Sequence, residues 1–125
     1  MINLNTLQVK QLYIKMVEAT GGFYGIRDEA LLESALSSAF QTFNGVDLYP
    51  SVVAKIARVT YSLVCNHPFV DGNKRIGTYV MLVLLELNHI KADFSDEDVI
   101  KIGLELAAGK MNYQQLLHLI LERIT

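Results

Sequence analysis

One stretch of the chain gathers groups that could move a proton and hold a phosphate: His67-Pro68-Phe69-Val70-Asp71-Gly72-Asn73-Lys74-Arg75. Of these side chains only the His67 imidazole titrates near neutrality without perturbation, which suits a base that takes a proton from an attacking hydroxyl. The Asp71 carboxylate suits Mg²⁺, a hard cation commonly held by one or two carboxylates together with substrate phosphates. Gly72 permits a tight backbone path into a helix predicted from Asn73, whose first amides lack intrahelical acceptors and carry the positive end of the dipole. Lys74 and Arg75 put two cations into that first turn, where they oppose the dipole unless an anion or acidic group stands close. The chemistry this suggests is phosphoryl-type transfer from a metal nucleotide, in which positioning and charge stabilisation carry most of the catalysis.

Other chemistries fit these residues less well. The run from Gly72 to Thr78 imitates a phosphate-binding P-loop, but no lysine follows Gly77 and no strand precedes Gly72. His89 and His118 are too isolated to join His67 in a zinc site. Cys65, the only cysteine, reads as a small buried side chain rather than a nucleophile. Asp28 is explained as a helix cap and Arg27 as a surface arginine, while Lys55 with Arg58 fits a solvated face and a contact for a partner's acidic tail equally well.

The elements that must position the loop read as helices. Leu7, Leu12, Ile14, Met16 and Val17 punctuate a first helix from about Thr6 to Ala19, with Gly21-Gly22 as its stop. A second begins at Asp28 and carries Leu31, Leu32, Ala35, Leu36 and Ala39 on one stripe. Two strongly apolar helices, Pro50 to Cys65 and Asn73 to Asn88, flank the loop and should form the buried centre. Pro50 suits the first turn of the former, and Pro68 should end it at His67. Ser95 with Asp98, and Asn112 with Gln115, are spaced as capping boxes for two more helices. Between the second and third helices, Asn44-Gly45 suits the two positive φ angles of a tight hairpin, the one β candidate in the chain, with an ordinary interhelix loop containing a turn as the alternative. The expected fold is all-α, a bundle of about six helices with a short hairpin near 41–48.

Composition agrees with that reading. The 125 residues are 51% apolar and 19% charged, which excludes intrinsic disorder and suggests a single domain spanning 1–125. A formal charge of −2 lacks the basic footprint of a nucleic-acid-binding protein, so no direct nucleic-acid contact is expected. The longest apolar run, Tyr79 to Leu85, is far too short to cross a bilayer. A lone cysteine and the absence of a signal-like N-terminus suggest a cytoplasmic protein without membrane attachment.

The loop HPFVDGNKR resembles the signature of the Fic/Doc family at every defining position. GGFYGIRDEALLESAL upstream and LYPSVVAKIARVTYSLVCN before the loop are similar to its small, stand-alone Doc branch, so the likeness covers almost the whole chain. It implies the Fic/Doc fold, with His67 as general base, Phe69 as an inward-packing core residue, Asp71 as the metal-binding carboxylate, and Gly72, Asn73, Lys74 and Arg75 as the phosphate cradle. Fic enzymes that transfer AMP usually carry glycine where this chain has Lys74 and a second arginine where it has Thr78; both departures point toward Doc. The Doc resemblance implies ATP bound in inverted orientation with Mg²⁺, and transfer of its γ-phosphate to a threonine of elongation factor Tu, which arrests translation. It further implies that Thr42, Phe43, Asn44, Gly45, Val46 and Asp47 form a flap that registers the protein substrate by strand addition. None of the seven glutamates has Ser or Thr four residues earlier, so the family's inhibitory [Ser/Thr]-x-x-x-Glu motif is missing. A separate Phd-like antitoxin, with a disordered tail that folds into a groove, is the expected inhibitor. Two alternatives stand beside this reading: AMP transfer, and a non-catalytic helical binding module, against which the intact loop speaks.

Overall fold

The computed structural model describes all 125 residues. Its elements in chain order are α1 (Thr6–Thr20), α2 (Glu29–Ser37), a 3₁₀ turn (Ser38–Phe40), β1 (Thr42–Phe43), β2 (Val46–Asp47), α3 (Val52–Asn66), α4 (Asn73–Leu87), α5 (Asp96–Ala107) and α6 (Tyr113–Arg123). The six helices and the hairpin are those the sequence predicts.

Five of the six helix starts are set by side-chain caps that satisfy otherwise orphaned amides, and α4 alone, entered through Gly72, has none. Asn5, Ser95 and Asn112 form capping boxes with Gln8, Asp98 and Gln115, and Asp28 accepts from Leu31 N. Helix ends fall within a residue of the expectation, and the start of α3 departs from it by two. Ser51, not Pro50, caps α3 by accepting from Ala54 N. Pro50 therefore lies outside the helix, because the hydroxyl one residue later satisfies an amide and proline cannot.

Helices α3 and α4 form the centre, joined by the six-residue segment from His67 to Gly72. α3 packs on α2, α4 and α6, and α4 packs in addition on α5 and α1. Ile56, Ala57, Val59, Leu63 and Val64 meet Ile76, Val80, Met81, Leu84 and Leu85 in a core that also takes Tyr13, Leu32, Ile102, Leu116 and Ile120. Each fully buried aliphatic side chain of this kind contributes about 1.5–3 kcal/mol. Gly77 brings the two central helices together: a Cβ built there would lie 2.5 Å from Val64 Cγ2.

The β hairpin pairs Thr42 with Asp47 and Phe43 with Val46, antiparallel. Asn44 (φ 51°) and Gly45 (φ 76°) supply its turn, as the dipeptide foretells. No helix is long and apolar enough to cross a membrane.

Candidate active site

Everything in the loop depends on how α3 ends. Pro68 has no N–H to continue the helix, and His67 turns into the left-handed region (φ 49°, ψ 55°), which histidine tolerates better than most residues. This leaves the imidazole exposed at the head of the loop. The carbonyls there do not go unmet: Arg27 Nε donates to His67 O at 2.6 Å and its Nη2 to Asn66 O at 2.8 Å. Arg27 is thus no idle surface arginine. The segment 25–28 runs antiparallel to 67–70, with Val70 N donating to Gly25 O at 2.9 Å and Arg27 N to Pro68 O at 2.8 Å.

Phe69 is fully buried and stacks on Tyr13, ring centroids 4.0 Å apart, in the core position the family resemblance implies. The Asn73 amide brackets the main chain of Phe69, accepting from its N and donating to its O, both at 3.0 Å. Only the backbone N–H of Asn73 is thereby left for an anion, because its side chain is committed to shaping the loop.

The Asp71 carboxylate is held from two sides: Oδ1 accepts from Gly72 N at 2.9 Å and Oδ2 from Phe23 N at 3.2 Å. The Tyr13 hydroxyl lies between Asp71 O (2.8 Å) and Phe23 O (2.9 Å), and its one proton serves either carbonyl. Burial pushes the Tyr13 phenol above its ordinary pKa, so it stays a neutral donor. Gly21-Gly22 does more than stop α1. A Cβ on Gly22, which has φ +107°, would come within 2.8 Å of both Asp71 Oδ2 and Arg75 Nη2. Glycine here lets the α1–α2 connection close over the loop.

Arg75 finds its own solution to the unfavourable first turn. Its Nη1 donates to Gly21 O at 3.0 Å and to Thr20 Oγ1, and Nη2 stands 4.0 Å from Asp71 Oδ2. The carbonyl end of α1, the negative pole of that dipole, meets the cation that opposes the dipole of α4. The sequence calls for an anion or acidic group close by; for Arg75 the protein supplies much of that relief itself. Lys74 is different: its ammonium is exposed and makes no hydrogen bond or ion pair within the chain.

Asp71, Gly72, Lys74, Arg75 and Thr78 line one side of a cleft of about 440 Å³, and Val99, Ile100, Gly103 and Leu104 of α5 line the other. The cleft has the size expected of a small-molecule site. Gly103 allows α5 to approach α4 this closely, since a Cβ there would lie 3.3 Å from Lys74 Cβ. His67 and Asn73 are not among the lining residues. A recess of about 530 Å³ at the far end of α4, around Glu86 and His89, has no part in this arrangement.

No cluster of three or more His, Cys, Asp or Glu side chains exists that could cage a metal by itself. The single anchored carboxylate of Asp71 fits Mg²⁺, which keeps most of its shell for water and phosphate oxygens. His89 and His118 are exposed and far apart in sequence. Burial raises the thiol pKa of the half-buried Cys65, the opposite of what an activated nucleophile needs.

The family model described as the Fic/DOC family matches residues 3–85. The chain belongs to the Fic/Doc family. It is also 40% identical over 78 residues to Toxin Doc of Mycolicibacterium smegmatis, an alignment that covers 61% of this chain and 60% of that protein. This likeness agrees with the Doc-branch resemblance of the sequence. The matched range contains the loop, the hairpin, α1–α3 and all but the last two residues of α4; α5, which forms the far wall of the cleft, lies outside it.

Proposed function

We propose that this Fic/Doc chain is a Doc-like toxin of a toxin–antitoxin pair that transfers the γ-phosphate of ATP to a protein hydroxyl. The observation that carries the reading is the convergence of the anchored Asp71, the unpaired Lys74, Arg75 and the amide end of α4 on one cleft. Cations and free amides at a helix start suit the phosphates of a nucleotide, and Asp71 is the group that would hold Mg²⁺. When bound, the metal neutralises charge on the phosphate oxygens. His67, exposed at the loop head, takes the proton of the attacking hydroxyl as the new O–P bond forms and ADP leaves. Lys74 and Arg75 stabilise the charge spread over the transferred group.

The target we propose is a threonine of elongation factor Tu, held as an extended segment along the 42–47 hairpin, with translation blocked as the result. The Doc resemblance supports this choice, as it supports control by a Phd-like antitoxin in the cytoplasm. The deciding assay compares transfer from γ-labelled and α-labelled ATP to elongation factor Tu, with Mg²⁺ and with His67→Ala as control. Label from the γ position, lost in His67→Ala, is expected. Label from the α position would replace phosphoryl by AMP transfer. If neither label reached any protein of a whole lysate, the chain would be a non-catalytic binding module.

A further inference from the structure

Lys55 was expected to be exposed, yet it is buried, with only 9% of its surface exposed. Its ammonium has three protons and three acceptors: Tyr49 O, Ala39 O at 3.3 Å and Asp47 Oδ2 at 3.4 Å. It also lies 5.4 Å from the centroid of the Phe40 ring. Ala39 and Phe40 lead into the hairpin, Asp47 belongs to β2, and Tyr49 follows it. Both ends of the flap therefore converge on one side chain of α3.

The flap needs such an anchor. Every residue from Gln41 to Leu48 is exposed, including Phe43 at 69% and Val46 at 67%. A lone two-stranded hairpin is marginal in water, and this one has only two residue pairs plus the bond from Leu48 N to Gln41 O. Nothing in the strands themselves can fix their direction.

We infer that Lys55 is a positioning residue that sets the flap relative to His67. The two residues share α3, with His67 directly after its last residue, twelve positions or roughly 18 Å along a rigid rod. By tying the flap to the same rod that presents the imidazole, Lys55 fixes which residue of a bound segment meets His67. This inference rests on the proposed function for its catalytic consequence, whereas the clamp itself is a property of the fold.

The test uses Lys55→Met, which keeps the apolar stem and loses the donors, and Lys55→Arg, which restores donors. In Lys55→Met, hydrogen exchange of the flap amides should accelerate while α3 and α4 stay protected, and Mg-ATP affinity should match the wild type. KM for the protein target should rise on the order of tenfold or more, the cost of a misplaced substrate, with kcat much less affected; Lys55→Arg should recover most of it. Asp47→Ala, at the exposed end of the clamp, should accelerate flap exchange in the same direction without touching the core. Unchanged flap exchange in both Lys55→Met and Asp47→Ala would overturn the clamp. A rise in flap exchange with no change in KM would overturn its positioning role. If the wild type itself transferred nothing, the proposed function would fall with the catalytic consequence, and exchange alone would decide the clamp.

Discussion

Arg27 holds the backbone of His67 in place: its guanidinium bridges the carbonyls of Asn66 and His67 at the end of α3. A cation there meets both the orphaned carbonyls and the negative end of the helix dipole. Removing it in Arg27→Met should cost about 1–2 kcal/mol of stability, read by urea denaturation. It should also lower kcat roughly tenfold through a displaced imidazole, with KM for ATP unchanged. Arg27→Lys cannot span two carbonyls with a planar fork and should recover little. A stability loss with undiminished kcat would reduce Arg27 to a simple cap.

His67 sits in a conformation that L residues adopt at a cost of roughly 1–2 kcal/mol, and its side chain is exposed. Glycine would relieve that strain and pay back part of it as unfolded-chain entropy, roughly 0.5–1 kcal/mol. His67→Gly should therefore be as stable as the wild type, or more stable by up to about 1 kcal/mol, while transferring no phosphate. His67→Ala should be equally inactive and somewhat less stable than His67→Gly. Loss of stability in the glycine variant would show that the imidazole packs rather than waits for substrate.

These two residues mark where sequence reading succeeds and where it stops. The place of His67 at a helix end was legible because local chemistry fixes it: Pro68 ends the helix. The capping boxes and the Asn44-Gly45 turn were legible for the same reason, since their partners lie within a few residues. The burial of Lys55 and the hydrogen bonds of the exposed Arg27 were not legible, because most of their acceptors are backbone carbonyls, which every residue carries and no pattern distinguishes. The partners of Arg27 lie 39 and 40 residues away. Asn73 shows a third case, where the sequence suggests a phosphate role but the side-chain amide is committed to the backbone of Phe69. Lys74 keeps an exposed ammonium without a partner in the chain.

Asp98 links the fold to pH. Arg123 donates Nε at 2.8 Å and Nη2 at 3.1 Å to its carboxylate, which holds the Asp98 pKa at about 2 against an ordinary 3.8. A folded-state value below the unfolded one means stability that is fully present above the unfolded value and lost as pH falls through the folded one. Asp98→Asn keeps the cap acceptor and removes the charge. It should lie below the wild type in stability at neutral pH, and the two should converge as pH drops from about 4 to about 2. A constant gap across that range, measured by denaturation at each pH, would assign the effect to packing.

Gly77 is where the two central helices are closest, and substituting it tests whether their separation matters to the site. Alanine would gain about 1 kcal/mol in helix propensity. Its Cβ, however, would fall 2.5 Å from Val64 Cγ2, and a valine in a helix has almost no alternative rotamer to retreat into. Overpacking of this kind costs about 1–3 kcal/mol, so Gly77→Ala should be destabilising on balance. Helices forced apart there would carry the two ends of the 67–72 loop with them, and transfer should fall even under conditions where the variant is folded. Val64→Ala removes the colliding methyl groups. In a double-mutant cycle the pair should be more stable than the sum of the single changes by about 1 kcal/mol, and transfer should partly return. Strict additivity would mean that the valine yields within its own helix, and that the distance between α3 and α4 is not what holds the loop in shape.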